Sequence, residues 1–297
     1  MKVPCLLIDG LAAADYHADR IGAQEPTLSA SVASALLNES PRRAWLRHPK
    51  LGGGVGAVEV TEEMDCGTII HALFFGKGAE IEVIRADSYR TTAARDRRDT
   101  ARFEGRTPVL EHKFADMQAV ACALTDAVRA AGFDMSLFRT EAVLVWEEPT
   151  ALGPVLCRGM TDAVNTDAGV ILDLKNTSAD PRKFGRKAID FGYDVQFAAY
   201  TSALRKLRPE VSGREDFVWL LAEELPEGAP QRVELTVARP SGVLREHGRL
   251  RWARACETWA QCRHTNHWPG YADGPVSIEP PGWALQEEFA ATAMSRE

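Results

Sequence analysis

The chain has no apolar run approaching the roughly 18–20 residues that a membrane-spanning helix needs, so a helical membrane protein is excluded from the start. It has no C-x-x-C pair. Its six cysteines, at 5, 66, 122, 157, 256 and 262, are irregularly spaced. In 297 residues this reads as reduced thiols in a cytoplasm and not as a disulfide framework. The first residues, MKVPCLLIDGLAAADYHADR, have neither a basic n-region nor a small-residue cleavage site, so no signal peptide is expected. There is no internal repeat and no low-complexity tract. An excess of positive charge is also missing: 35 Lys+Arg against 42 Asp+Glu gives −7. A general nucleic-acid coat is excluded, and any DNA contact must come from a local basic patch or through metal ions.

What the chain does have is ordinary globular composition, 45% hydrophobic and 26% charged. That is enough apolar surface to offset the entropy of ordering. Residues 1–26 read as an N-terminal arm or edge element, and 27–297 as a single domain whose core is about 138–240. A helix starts at Thr27 or Ser29 and runs to Pro41. Four glycines in 51–60 predict a loop. A second helix spans 62–75 and a longer one 112–131. Residues 88–106 carry six arginines against three acids and read as an exposed helix. Strands are expected at 140–146, 155–164, 169–175, 216–222 and 231–238, with helices at 192–207 and about 241–263. Helices, then a β-meander, a crossover helix and further strands predict an α/β sandwich around one mixed sheet.

The informative stretch is 159–200. Asp162 closes one strand. Asp173 and Lys175 are two apart on the next and share a face. The tight turn NTDAG makes these strands antiparallel neighbours, which brings Asp162 within reach of Asp173. Two carboxylates and a lysine at this spacing make a hard-cation site. An Asp-x-Lys on a strand is also commonly an exposed, salt-bridged face. The flanking Val170, Ile171, Leu172 and Leu174 argue for burial instead, where such charges need partners or a ligand.

The ordered set G-x-x-D, D-L-K eleven residues later and Y-D-x-Q-x-x-x-Y resembles the PD-(D/E)xK nuclease superfamily. More narrowly, it is similar to the RecE-type (exonuclease VIII-like) branch of phage and prophage exonucleases. The segments YHAD, LSAS, SPRRAWLRHPKL and YRTTAARDRRDTARFEGRTPVL share that similarity, which covers about residues 15–271. The resemblance implies a restriction-endonuclease-like core with a central mixed β-sheet flanked by helices. It implies a divalent ion, Mg²⁺ with Mn²⁺ substituting, held by His71, Asp162, Asp173 and the Leu174 carbonyl. Lys175 would position the attacking water. Gln196 and Tyr200, one helical turn apart, would hold the active-site face. Glu141 matches a family acid; a solvated strand-starting residue is the alternative.

Arg182, Lys183, Arg186 and Lys187 follow the proposed catalytic strand and are expected to contact phosphates. Arg95 and Arg98 read either as a DNA-guiding rim or as a solvated helix face. The family's Asp-x-Lys-Thr is altered here to Asp173-Leu174-Lys175-Asn176-Thr177, which bears on hydrogen bonding behind the site. An iron–sulfur cluster lacks its third cysteine, because Ala253 stands there. A zinc site from Cys256, Cys262, His264 and His267 is weaker than ordinary packing.

The resemblance implies resection of double-stranded DNA ends from the 5′ side, a ring-shaped homo-oligomer and a single-strand annealing partner. Two further classes stay open: a structure-specific or restriction-type endonuclease, and a non-catalytic DNA-binding assembly subunit.

Overall fold

β-Branched and aromatic residues between Gly- and Pro-marked turns build the central strands, and Ser, Thr or Asp caps start several of the helices around them. A computed structural model describes residues 5–54, 61–226, 229–272 and 274–282. The chain runs β1 (Leu6–Ile8), α1 (Ala13–His17), β2 (Leu28–Ser29), α2 (Ala30–Asn38), α3 (Pro41–Arg47), α4 (Glu62–Phe75), β3 (Ile81–Ile84) and α5 (Thr92–Phe103). It continues through β4 (Thr107–Leu110), α6 (Glu111–Ala130), β5 (Arg139–Glu148), β6 (Val155–Asn165), β7 (Val170–Asn176), α7 (Pro181–Asp190) and α8 (Tyr193–Leu207). It ends with β8 (Asp216–Glu224), β9 (Val233–Ala238) and α9 (Gly242–Thr265). The expected helix 62–75 and the five expected strands fall within two residues of these bounds. Residues 55–60 of the expected glycine loop lie outside the described residues.

The expected helix to Pro41 is two helices. α2 stops at Asn38, and the Ser40 hydroxyl then accepts the Arg43 N–H while Pro41 takes the first helical position, where its missing N–H costs nothing. The basic segment 181–187 is likewise helical, capped by Asp180 and entered through Pro181.

The main sheet is mixed, in the order β1-β5-β6-β7-β8-β9, with β2 also pairing with β6. β7 and β8 are parallel, connected through α7 and α8; the β6–β7 and β8–β9 pairs are antiparallel. β3 and β4 form a separate two-stranded parallel sheet. The expectation of a mixed sheet flanked by helices holds. β8 shows why: Phe217, Trp219 and Leu221 enter one core with residues of α2, α8 and α9, while Val218, Leu220 and Ala222 enter a second with α4 and α6. A strand buried on both faces reads as a continuous apolar run.

The segment before Thr27 is tied in by pairing and by charge. β1 runs antiparallel along β5. Asp19, fully buried with φ of 57°, accepts the Thr27 N–H at 3.0 Å and hydroxyl at 2.6 Å, and meets Arg158 of β6 at 3.0 Å. The Thr27 carbonyl accepts from Arg158 at 2.8 Å and lies 3.0 Å from His48 Nε2. His48 Nδ1 accepts the Lys50 N–H at 3.2 Å, so its partners assign the neutral tautomer with the proton on Nε2.

Burial holds the His48 pKa down to about 4, against the help of the Thr27 carbonyl. The unfolded chain therefore takes up a proton near pH 6.5 that the folded chain refuses until about pH 4. Stability is expected to fall across that window as pH drops, by about 2–3 kcal/mol, and to level below it. Urea unfolding of wild type and His48→Gln at pH 7.5, 6 and 5 checks this: the variant loses less stability on acidification, and equal losses refute the assignment.

Candidate active site

The site grows from an interruption in β6. One edge of this strand is shared by two partners. β2 pairs with Cys157 and Arg158, and β7 pairs only from Ala163 to Asn165. Between them, residues 159–162 have no strand partner on that edge among the described residues. One step beyond the last β6–β7 pair, Asp162 and Asp173 oppose each other. The Asp162 carboxylate, not its backbone, accepts the Leu174 N–H at 2.8 Å. A side chain thus replaces the ladder and holds the strand ends apart.

Other elements converge there. α4 presents His71, with Nε2 3.3 Å from Asp162 Oδ1 and Nδ1 3.9 Å from Glu141 Oε1. Glu141 opposes Asp162 across the β5–β6 register and has φ of 50°, a left-handed backbone that is costly for a glutamate. β7 carries Lys175, whose Nζ is 2.6 Å from Asp173 Oδ2 and 4.4 Å from the centroid of the Tyr193 ring. From α8, Gln196 Nε2 donates to Asp173 Oδ1 at 3.0 Å. Tyr200 is buried with its hydroxyl toward Gln196, and the buried Tyr16 of α1 meets that hydroxyl with its own.

The protonation pattern follows from this crowding. Burial alone would lower His71, but the Asp162 and Glu141 carboxylates outweigh it and its pKa is raised. Burial works to raise Asp162, yet His71, Lys175 and the Leu174 N–H hold it below its ordinary value. Burial pushes Asp173 up to about 6, with the Asp162 charge adding to it and Lys175 opposing it. Burial likewise works against the Lys175 ammonium, and the two aspartates more than compensate. Two carboxylates in one buried site resist joint ionisation, a conflict that a cation removes.

The donor set of carboxylate, carbonyl and imidazole suits a hard divalent ion. Asp173 Oδ2 also fits: it is buried, with the Lys175 ammonium at 2.6 Å as its ion partner and no further donor among the described residues. Among the described residues no three His, Cys, Asp or Glu side chains are drawn together as a ligand set. His71 and Asp162, and Lys175 and Asp173, neutralise one another in pairs. Cys256 and Cys262 of α9 are buried free thiols, packed into the core.

The basic segments divide. On α7, Arg182 pairs with Asp180 at 2.9 Å and Arg186 with Asp190 at 3.3 Å; both arginines are almost fully exposed, so these pairs are weak. Lys183 is exposed. Lys187 donates to the Thr177 hydroxyl at 2.5 Å, so the displaced threonine of the motif anchors a cation just past Lys175. On α5, Arg95 is exposed, and Arg98 pairs with Asp99 at 2.8 Å and lies over Tyr89. Neighbouring Arg97, Arg102 and Arg106 bind Glu82 and Asp65, stapling α5 to β3 and α4. Much of that arginine cluster is thus structural.

Comparisons with known proteins bear on the family and the fold. The family model for a PDDEXK-like domain of unknown function (DUF3799) matches residues 50–275. The chain belongs to this family. Membership supports a nuclease, and the matched span contains every residue converging on the β6 interruption except Tyr16. A solved structure of a putative exonuclease from Eubacterium rectale superposes with a TM-score of 0.54 at 12% identity, covering 93% of this chain and 97% of that one. At that identity the shared property is the fold. A phage related exonuclease from Haemophilus somnus 129PT overlaps loosely, with a TM-score of 0.30 at 13% identity over 79% of this chain and 95% of that one. No curated protein matches.

Two contributors entered the sequence reading only as motif letters, without a role: Tyr16, in YHAD and 184 positions from Tyr200 in the chain, and Gly159, in G-x-x-D. A Cβ on Gly159 would fall against the Tyr200 ring, so only glycine lets that ring pack on β6. Gly159→Ala is expected to lower stability by about 1–3 kcal/mol through overpacking. Gly185→Ala, in α7 with open space around it, is expected to be neutral or stabilising. Urea midpoints of the two variants check the contrast.

Proposed function

We propose that the chain is a metal-dependent deoxyribonuclease that resects double-stranded DNA ends, 5′ to 3′, by water attack on the phosphodiester. The observation that carries this reading is the placement of Lys175 against Asp173, beside Asp162 and His71, where β6 and β7 part. Asp162, Asp173, the Leu174 carbonyl and His71 would hold the ion, Mg²⁺ or Mn²⁺, with Glu141 behind His71. When bound, the ion supplies positive charge for the phosphate oxygens as negative charge builds on them. Lys175 orients the attacking water through its ammonium hydrogens. Gln196 fixes the Asp173 carboxylate, and the packed Tyr200 fixes Gln196. The α7 cations, in pairs weak enough to exchange, receive the DNA backbone.

Resection of this kind supplies a 3′ single strand for recombination. The corresponding partners are duplex DNA ends, further copies of this chain in a ring and a single-strand annealing protein. Support for the exonuclease form comes from the motif resemblance along the chain and from the exonuclease description of the Eubacterium rectale protein.

The test is digestion of linear and covalently closed duplex DNA with Mg²⁺, each linear end carrying a distinct 5′ or 3′ label. Early release of the 5′ label from linear DNA alone is expected. Asp173→Ala and Lys175→Ala are expected to lose at least about a hundredfold in rate. Excess chelator is expected to abolish cleavage; persistent cleavage in chelator overturns the metal-dependent mechanism. Cutting of the closed circle would replace the exonuclease with an endonuclease, and DNA binding without cleavage would indicate the assembly role.

A further inference from the structure

Three aromatic rings form a ladder from the core to solvent beside the site. Phe184 of α7 is buried and meets Trp219 edge-on, with centroids 5.1 Å apart. Tyr193 stacks on Phe184 at 5.8 Å and 16°. Phe191, in the turn between α7 and α8, stacks on Tyr193 at 5.8 Å and 22°. The middle ring is the one that carries Lys175 Nζ at 4.4 Å. The last ring is 63% exposed.

Exposure alone says little. Phe103 on α5 is 93% exposed, yet it stacks on no ring among the described residues. Phe191 differs because two rings behind it hold its plane, and because that plane stands one ring away from the proposed water-positioning lysine. The preceding helix offers exposed Arg182, Lys183 and Arg186. A rigid aromatic face next to backbone-binding cations is the combination by which single strands are held, since every base has a π-face and every nucleotide a phosphate.

We infer that Phe191, backed by Tyr193, is a stacking platform for an unpaired base of single-stranded DNA next to the scissile phosphate. This rests on the nuclease reading above. A base inside a duplex has both faces covered by its neighbours, so the platform engages only unpaired or terminal bases. It therefore favours DNA ends over continuous duplex.

The test is binding of labelled single-stranded oligonucleotides by fluorescence anisotropy in chelator, so that the strand stays intact, with one abasic position walked along the strand. Phe191→Ala is expected to weaken binding of the unmodified strand about tenfold. In the wild type, one abasic position is expected to weaken binding by a similar factor. The alanine variant is expected to be insensitive to it, and Phe191→Trp to recover that sensitivity. If the wild type cuts labelled DNA with Mg²⁺ but no abasic position matters, or if the alanine variant keeps the wild-type pattern, the platform is overturned and the nuclease reading stands. If the wild type neither cuts nor binds DNA, both are overturned.

Discussion

Everything at this site depends on holding two carboxylates, a buried Asp173 and a largely buried Asp162, side by side. Such a pair is unfavourable unless each charge is answered. Asp162 is answered by a backbone N–H and an imidazole, and Asp173 by an ammonium and a carboxamide. These four answers come from β7, α4 and α8, so the electrostatic requirement dictates which elements must meet. The parting of β6 and β7 is its mechanical expression: the N–H that a ladder would have used goes to the carboxylate.

The same device recurs away from the site. Glu148, at the end of β5, accepts from the indoles of Trp146 and Trp252, the Ser202 hydroxyl and Lys206, binding α8 and α9 to the sheet. Asp194 at the start of α8 is fully buried and takes Arg251 and His247 of α9. Asp19 gathers Thr27 and Arg158. Each of these buried acids ties its own segment to another element, and satisfied networks of this kind fix a unique arrangement of helices on a sheet. An acidic protein thus uses part of its negative charge internally, while its cations on α7 stay at the surface near the site.

The long elements were readable because β5 to β8 are apolar-rich runs bounded by turn residues, and α4, α6 and α9 are long stretches without proline. β1, α1, β2 and the β3–β4 pair are too short to show a period, and they are stabilised by contacts with distant strands. Within the site, Asp162, Asp173 and Lys175 were legible because the NTDAG turn fixed their register. His71, Gln196 and Tyr200 were legible through the order of motifs, since spacing alone does not bring a histidine from α4 to β6. The fate of the cations was not legible. Six arginines between 88 and 106 look alike in sequence, and only tertiary structure separates those bound to Glu82 and Asp65 from those left at the surface. The aromatic ladder was hidden for the same reason, because Phe184 and Phe191 stack through Tyr193 across a turn.

The pairing of β1 with β5, of β2 with β6 and of Tyr16 with Tyr200 has a kinetic side. β1 and β2 leave the ribosome before the strands they pair with, and α1 waits for α8. Long-range closures of this kind are slow because loop entropy is lost before contacts form. A nascent chain that has already made His71, Asp162 and Asp173 still lacks the glutamine that orients the second aspartate. The proposed site therefore stays incomplete until α8 has been made.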